Sequence, residues 1–244
     1  MNIPLSNFHI HTVFSDGRFY PEEITRLLSE RSYKAIGFSD HIFSIKPSLF
    51  YEYQIRNYRD KIEKIRIDYP KTMILIGGEL DIQQWDIPFS PLLSYFDYLN
   101  IEYVNGFKDF KKIEQIRKVY QRPIYLVHTL FSTDKIPTIT LFHLKESKIK
   151  RLLEELKLLS LGIELTDGTR NCHIDKEGIY SPGFNFYPTA LLQKIEEALI
   201  PISIGTDMHD ELEEATNISM ALGMIAEYHL QGNYSLTLQP ERYR

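Results

Sequence analysis

The chain has 244 residues, 43% of them hydrophobic, which fits one large domain with a full core, or at most two small ones. Its formal net charge of −5 supplies no global attraction for nucleic acid or an anionic membrane, though it leaves room for a local basic patch. The single cysteine, Cys172, rules out an intrachain disulfide and suits a reducing compartment.

The start, "MNIPLSNFHIH", has no basic segment followed by a long apolar one, so no signal peptide is read there. No apolar run approaches the ~20 residues that a membrane helix needs. The expectation is a soluble cytoplasmic protein.

The first apolar run, "FHIHT" (8–12), reads as a strand. "PEEITRLLSER" follows, with Pro21 and two acids suited to a first helical turn. A second strand, "AIGFSD" (35–40), leads to the helix candidate "YQIRNYRDKIEKIRIDYP", which stops at Pro70. The third strand is "MILIGGEL" (73–80), joined by the shorter link "PFSPLLSYF" to a fourth, "YLNIEYV" (98–104). Helix "DFKKIEQIRKVY", strand "IYLVHT" (124–129), helix "ESKIKRLLEELKLLS" and strand "GIELTD" (162–167) come next. Helix "PTALLQKIEEAL", strand "IPISIGTD" (200–207) and the helical stretch "ELEEATNISMALGMIAEYH" end the series. Seven strand–helix units predict an α/β chain with a parallel sheet. Periodicity alone leaves a barrel and an open doubly wound sheet both available.

The polar residues favour the barrel. His9 and His11 lie on the first strand, His41 follows the second, and Glu79 is near the end of the third. His128 ends the fifth, while Asp207 and His209 end the seventh. Strand C-termini of a parallel barrel converge on one face, so these residues would share a bowl. His-x-His and Asp-x-His place both side chains on one strand face, because strand side chains alternate. Imidazole and carboxylate donors without thiolate suit zinc, manganese or iron. Glu79 or Asp207 could bridge two ions, and two ions ~3.5–4 Å apart can hold a hydroxide nucleophile and stabilise the leaving oxygen of a phosphoester.

Five motifs in order, "HIHTVFSDG" (9–17), "SDH" (39–41), "GGE" (77–79), "VHT" (127–129) and "GTDMH" (205–209), make the sequence resemble the PHP family, named for polymerase and histidinol phosphatase domains. The resemblance implies a distorted (βα)7 TIM-like barrel in a single domain over 1–244, two or three divalent metal ions (Zn, Mn or Fe), and phosphoester hydrolysis. Carried over by position, His9, His11, Glu79 and Asp207 would hold one ion, and Asp16, His41 and His209 a second. A third would use Glu79, His128 and a histidine after the fourth strand. That histidine is missing in "DYLNIEYVNG", so either Glu102 replaces it or the third site is weak or empty.

Around this set, Glu164 and Asp167 end the sixth strand and could orient a ligand or simply start a loop. In the polar stretch "DGTRNCHIDKEG" (167–178), Arg170 could grip a phosphate and His173 could donate a proton or a ligand nitrogen; exposed loop residues are the alternative. His143 and His229 sit in helical patterns and read as surface or packing residues, and Arg18 and Lys108 carry weaker claims. The basic stretch 108–122 reads first as a solvated helix face and second as a nucleic-acid patch.

The expected activity is that of a phosphomonoesterase on a small phosphorylated substrate, similar to histidinol phosphatase, in which a metal-bridged hydroxide attacks phosphorus. Asp207, His209, Glu79, Arg170 and His173 form the expected catalytic set. A phosphodiesterase or nuclease using the same centre is the rival enzyme reading. A metal-holding regulatory module is the rival outside catalysis. No heptad or other interface signal addresses the oligomeric state.

Overall fold

Strand pairing orders the chain in the computed structural model, which describes residues 3–127, 146–166, 173–174, 180–181 and 189–234. The strands are β1 (Ser6–Asn7), β2 (Ala35–Phe38), β3 (His41–Ile42), β4 (Met73–Asp81), β5 (Tyr98–Glu102), β6 (Ile124–Leu126), β7 (Gly162–Thr166), β8 (His173–Ile174), β9 (Tyr180–Ser181) and β10 (Ile202–Gly205). Parallel pairing runs β1-β2-β4-β5-β6-β7-β10, with β3 added to β4 beyond the end of β2. The ends of this path meet: Phe8 N donates to Ile204 O at 2.7 Å and His11 N to Met208 O at 3.0 Å. The result is an α/β domain built on a nearly closed barrel of seven parallel strands, the distorted (βα)7 architecture. β8 and β9 form a separate antiparallel pair.

Helices Pro21–Glu30, Glu52–Asp68, Phe110–Val119, Glu146–Leu158, Thr189–Ala198 and Ser219–Glu227 connect or follow the strands, and the short link is a 3-10 helix, Ile87–Tyr95. Ile36, Ile74, Ile76, Leu99, Ile101, Ile163 and Ile204 alternate along their strands and join Ile24, Ile55, Ile62, Ile113 and Leu152 of the helices in one core. The opposite strand face carries a smaller cluster of Phe8, Ala35, Leu75, Tyr98 and Tyr125 inside the barrel. Tyr98 takes its place there because β2 and β4 carry glycine opposite it. A Cβ on Gly37 would lie 2.4 Å from Tyr98 Oη, and one on Gly77 2.2 Å from Tyr98 Cζ.

Three elements depart from the sequence expectation, each for a long-range reason. The first strand pairs with β2 at 6–7 rather than over 8–12, since the Phe8 carbonyl accepts from Tyr98 Oη (2.8 Å) and Asn100 Nδ2 (3.1 Å). The second run splits into β2 and β3 at Asp40, whose carboxylate is bonded to Thr12 and Ser15. The last helical stretch breaks into a 3-10 turn, Leu212–Thr216, and the helix Ser219–Glu227. The Ala215 carbonyl, which a continuous helix would use, accepts from Asn7 Nδ2 at 3.0 Å.

Candidate metal centre

The inward alternation of the strands delivers the site. In β4 the series Leu75, Gly77, Glu79 faces inward; in β5 it is Tyr98, Asn100, Glu102; in β7, Gly162, Glu164, Thr166. Glu79, Glu102 and Glu164 therefore stand above the Tyr98 layer, and all three are fully buried with His9, His11 and His41.

A first group forms around His9 Nε2. It lies 3.1 Å from His11 Nε2, 3.2 Å from Glu79 Oε1 and 3.4 Å from Asp207 Oδ1. On the other side of the ring, His9 Nδ1 is 2.9 Å from both oxygens of Glu164, the geometry of an N–H donating into a carboxylate. Thr166 Oγ1 donates to Glu164 Oε2 at 3.0 Å and holds that carboxylate in turn. A second group surrounds Asp16: Oδ1 is 3.1 Å from His209 Nε2 and 3.4 Å from His11 Nδ1, and Oδ2 is 3.6 Å from His41 Nε2. A third joins His41, Glu79 and Glu102, with His41 Nδ1 2.9 Å from Glu79 Oε2 and 3.5 Å from Glu102 Oε1. In each group the donor atoms lie within 4.8 Å of one another. Two imidazole nitrogens facing each other among carboxylates form a donor set that a shared divalent cation satisfies, so the residues fit such ions.

Local backbone geometry aims these side chains. Thr206 N (3.3 Å) and Asp207 N (2.9 Å) both donate to His9 O, a bulge just past β10. Asp207 sits at φ 53, a left-handed conformation that aspartate tolerates better than most residues. His209 Nδ1 lies 2.7 Å from the Asp207 carbonyl, which turns Nε2 toward Asp16. Asp40 fixes the loop that carries Asp16, accepting from Thr12 N (2.8 Å), Thr12 Oγ1 (2.8 Å) and Ser15 Oγ (2.7 Å). The Asp16 side chain is 25% exposed against 0% for Glu79, so Asp16 marks the mouth and Glu79 the floor.

The electrostatics follow from crowding acids and imidazoles out of water. Burial opposes the charged form of His9, but Glu164 and Glu79 outweigh it and raise its pKa well above the ordinary value. His11 shifts up against the same opposition through Asp207 and Glu79. Burial also opposes the charged form of His41, yet Glu79 and Asp16 lift its pKa to about 10. Glu79 and Asp16 are held below the usual carboxylate range, the histidines beside them outweighing burial. Glu102 is pushed up to about 8 by burial and by Glu79, with Lys46 and His41 opposing.

In the metal-free protein the neighbouring carboxylates favour the protonated rings of these histidines, and ligation requires neutral rings. Metal binding is therefore expected to release protons and to weaken as pH falls from 8 to 6. Calorimetry in two buffers of different ionisation heat reads this directly, and a binding heat independent of buffer at pH 7 would contradict it. The stability of the metal-free chain carries the matching sign. The contribution of His41 is fully present below about 6.5, the unfolded value, and is lost as pH rises through about 10.

The structure thus brings together His9, His11, Asp16, His41, Glu79, Glu102, Asp207 and His209. His128, Arg170, Asp167, His143 and Cys172 lie outside the described residues. His173 is placed by its backbone alone, paired with Ser181. Arg18, Lys108 and His229 are exposed. Two residues escaped the sequence reading. Asp40 was in view inside "SDH", where its direct proximity to His41 was the signal. Lys46 had none, because a loop brings it back: Nζ lies 3.1 Å from His41 Nε2 and 3.2 Å from Glu102 Oε2.

The family model described as the PHP domain matches residues 7–209, the span from β1 to His209. The chain belongs to the PHP family. No curated protein matches it. A solved structure from a study of YwqE of Bacillus subtilis and CpsB of Streptococcus pneumoniae, described as metal-dependent tyrosine phosphatases, is 14% identical with a TM-score of 0.53, covering 91% of this chain and 87% of that one. A two-domain protein of Bacteroides vulgatus ATCC 8482, containing a predicted PHP-like metal-dependent phosphoesterase, is 14% identical with a TM-score of 0.49. That match covers 88% of this chain and 55% of the other, so this PHP chain spans about half the length of that protein. At such identities the likeness concerns the fold.

Within this PHP barrel, Glu164 is the orienting partner of His9. Glu164→Gln keeps an acceptor but removes the charge, and is expected to weaken metal binding about 10–100-fold, the usual cost of losing such a partner. Competition against a chelating dye measures it; unchanged affinity in the folded variant would remove Glu164 from this role.

Proposed function

We propose that this PHP-family chain is a metal-dependent phosphoesterase, and more narrowly a phosphomonoesterase acting on a small phosphorylated molecule. One observation carries the reading: two donor groups of four residues share His11 in one bowl, and each could take a cation beside the other. His9, His11, Glu79 and Asp207 would hold the first ion; Asp16, His41 and His209 would hold the second, beside His11. Zinc, manganese and iron all suit these donors. When bound, such a pair supplies a nucleophile from water at neutral pH and neutralises the oxygens on which charge develops.

The protein's own groups do the rest. The buried floor at Glu79 and Glu102 keeps bulk water out, so every charge in the bowl acts at lower effective dielectric. Asp40 holds the Asp16 loop in place before substrate arrives. Glu164 fixes the orientation of the His9 ring. Arg170 would hold the phosphate through two parallel hydrogen bonds, and His173 would protonate the leaving alkoxide.

The test is phosphate release from a panel of phosphomonoesters by protein reloaded with manganese or zinc, with Asp207→Ala as control. Histidinol phosphate belongs in the panel, and so does a phosphotyrosine peptide, given the chemistry described for the structural relative. Metal-dependent release that disappears in the variant supports the reading. Release from diesters alone, by protein with metal bound, would replace it with a phosphodiesterase.

A further inference from the structure

Lys46 reaches the centre from an unusual loop. Phe43 turns the chain at φ 51, a rare conformation for a bulky residue. Leu49 N then donates to His41 O at 2.8 Å and Phe43 N to Leu49 O at 3.3 Å, closing residues 43–49 on themselves. Inside this loop Lys46 N donates to Ser44 Oγ and Ser48 Oγ to the Ser44 carbonyl. The loop tip therefore returns over the bowl, and its ammonium meets His41 and Glu102 with the Tyr103 ring 5.4 Å away. Glu102 is fully buried, so this ion pair is built into the floor of the site.

We propose that Lys46 is a built-in counter-cation of Glu102 beside the third donor group, so that the chain itself supplies the positive charge Glu102 requires and the centre holds two metal ions. The proposal rests on the metal-dependent reading above and adds the ion count. Glu102 becomes the partner of Lys46 and not a metal ligand.

Charge balance points the same way. Asp16, Glu79, Glu102, Glu164 and Asp207 each lie within 3.6 Å of a site histidine nitrogen. Buried charge is costly unless compensated. Glu102 already has a cation in the Lys46 ammonium at 3.2 Å, so a third divalent ion there would set two cations against one buried carboxylate. An ammonium is also a compact point charge with several donors, suited to meet a phosphoryl oxygen. The Lys46 side chain is 31% exposed, so that approach stays open.

The experiment counts ions. The full chain is stripped, loaded with excess manganese or zinc, desalted and measured by elemental analysis, with melting curves to confirm folding. Wild type is expected to hold two ions per chain. Lys46→Met, of similar volume and no charge, is expected to hold three, since Glu102 then loses its ammonium partner and can join His41 and Glu79 around an ion. Glu102→Gln is expected to stay at two. Three ions in wild type, two in folded Lys46→Met, or a loss of one in Glu102→Gln each overturns the proposal. No ion in wild type would instead defeat the metal-dependent reading itself.

Discussion

Replacing Asp207 by asparagine is expected to lower phosphoester turnover by about 10³-fold or more, roughly 4 kcal/mol of barrier, in a chain that still folds. Asparagine matches aspartate in shape and shares its tolerance of the left-handed backbone at φ 53, so the bulge past β10 survives. What changes is charge. Asp207 Oδ1 stands 3.3 Å from His11 Nε2 and 3.4 Å from His9 Nε2, the only carboxylate besides Glu79 in the first donor group. Asparagine leaves that group with one negative charge for a divalent ion. Steady-state kinetics with matched melting curves check this, and a folded variant within tenfold of wild type would remove Asp207 from the reaction.

Gly205→Ala is expected to be the most damaging single methyl in the described barrel. A Cβ there would lie 1.6 Å from Glu164 Oε1 and 2.4 Å from His9 Cβ. Glu164 cannot simply swing aside, because it is bonded to His9 and Thr166 and enclosed. Either the carboxylate leaves His9 or β10 shifts against β7, to which Gly205 is paired at Thr166. Overpacking of this kind costs about 3 kcal/mol, the upper end of its usual range. For a chain of this size that is a fall of roughly 6–12 °C in Tm. Metal affinity should fall with it, which distinguishes damage at the centre from general destabilisation. A variant with wild-type Tm and wild-type metal affinity would show that the packing around Glu164 is looser than described.

The pattern of the site was legible where it depended on strand alternation and strand ends. His9 with His11 and Asp207 with His209 are near neighbours in sequence, and each pair converges on the same bowl. Glu102 lies in the predicted strand 98–104, but the count of two residues back from Val104 does not hold: Tyr103 turns at φ 58 and Val104 packs with Leu99 and Ile101 on the helix side, while Glu102 faces the bowl. Features that depend on a distant partner were hidden. Asn7 takes the Ala215 carbonyl from far along the chain and breaks the last helix. Tyr98 and Asn100 turn the Phe8 carbonyl inward and move the start of β1 pairing. Asp40 shares a motif with His41, but its work is on Thr12 and Ser15, across the barrel mouth. Lys46 is brought in by a loop closure that no periodicity encodes.

The most direct measurement is a titration of metal-stripped protein with manganese or zinc, following phosphate release from the best monoester of the panel. No release is expected without metal, and with metal a rise that reaches its plateau at two equivalents per chain. Release that does not depend on metal, or none from protein carrying two ions across the whole panel, would contradict this.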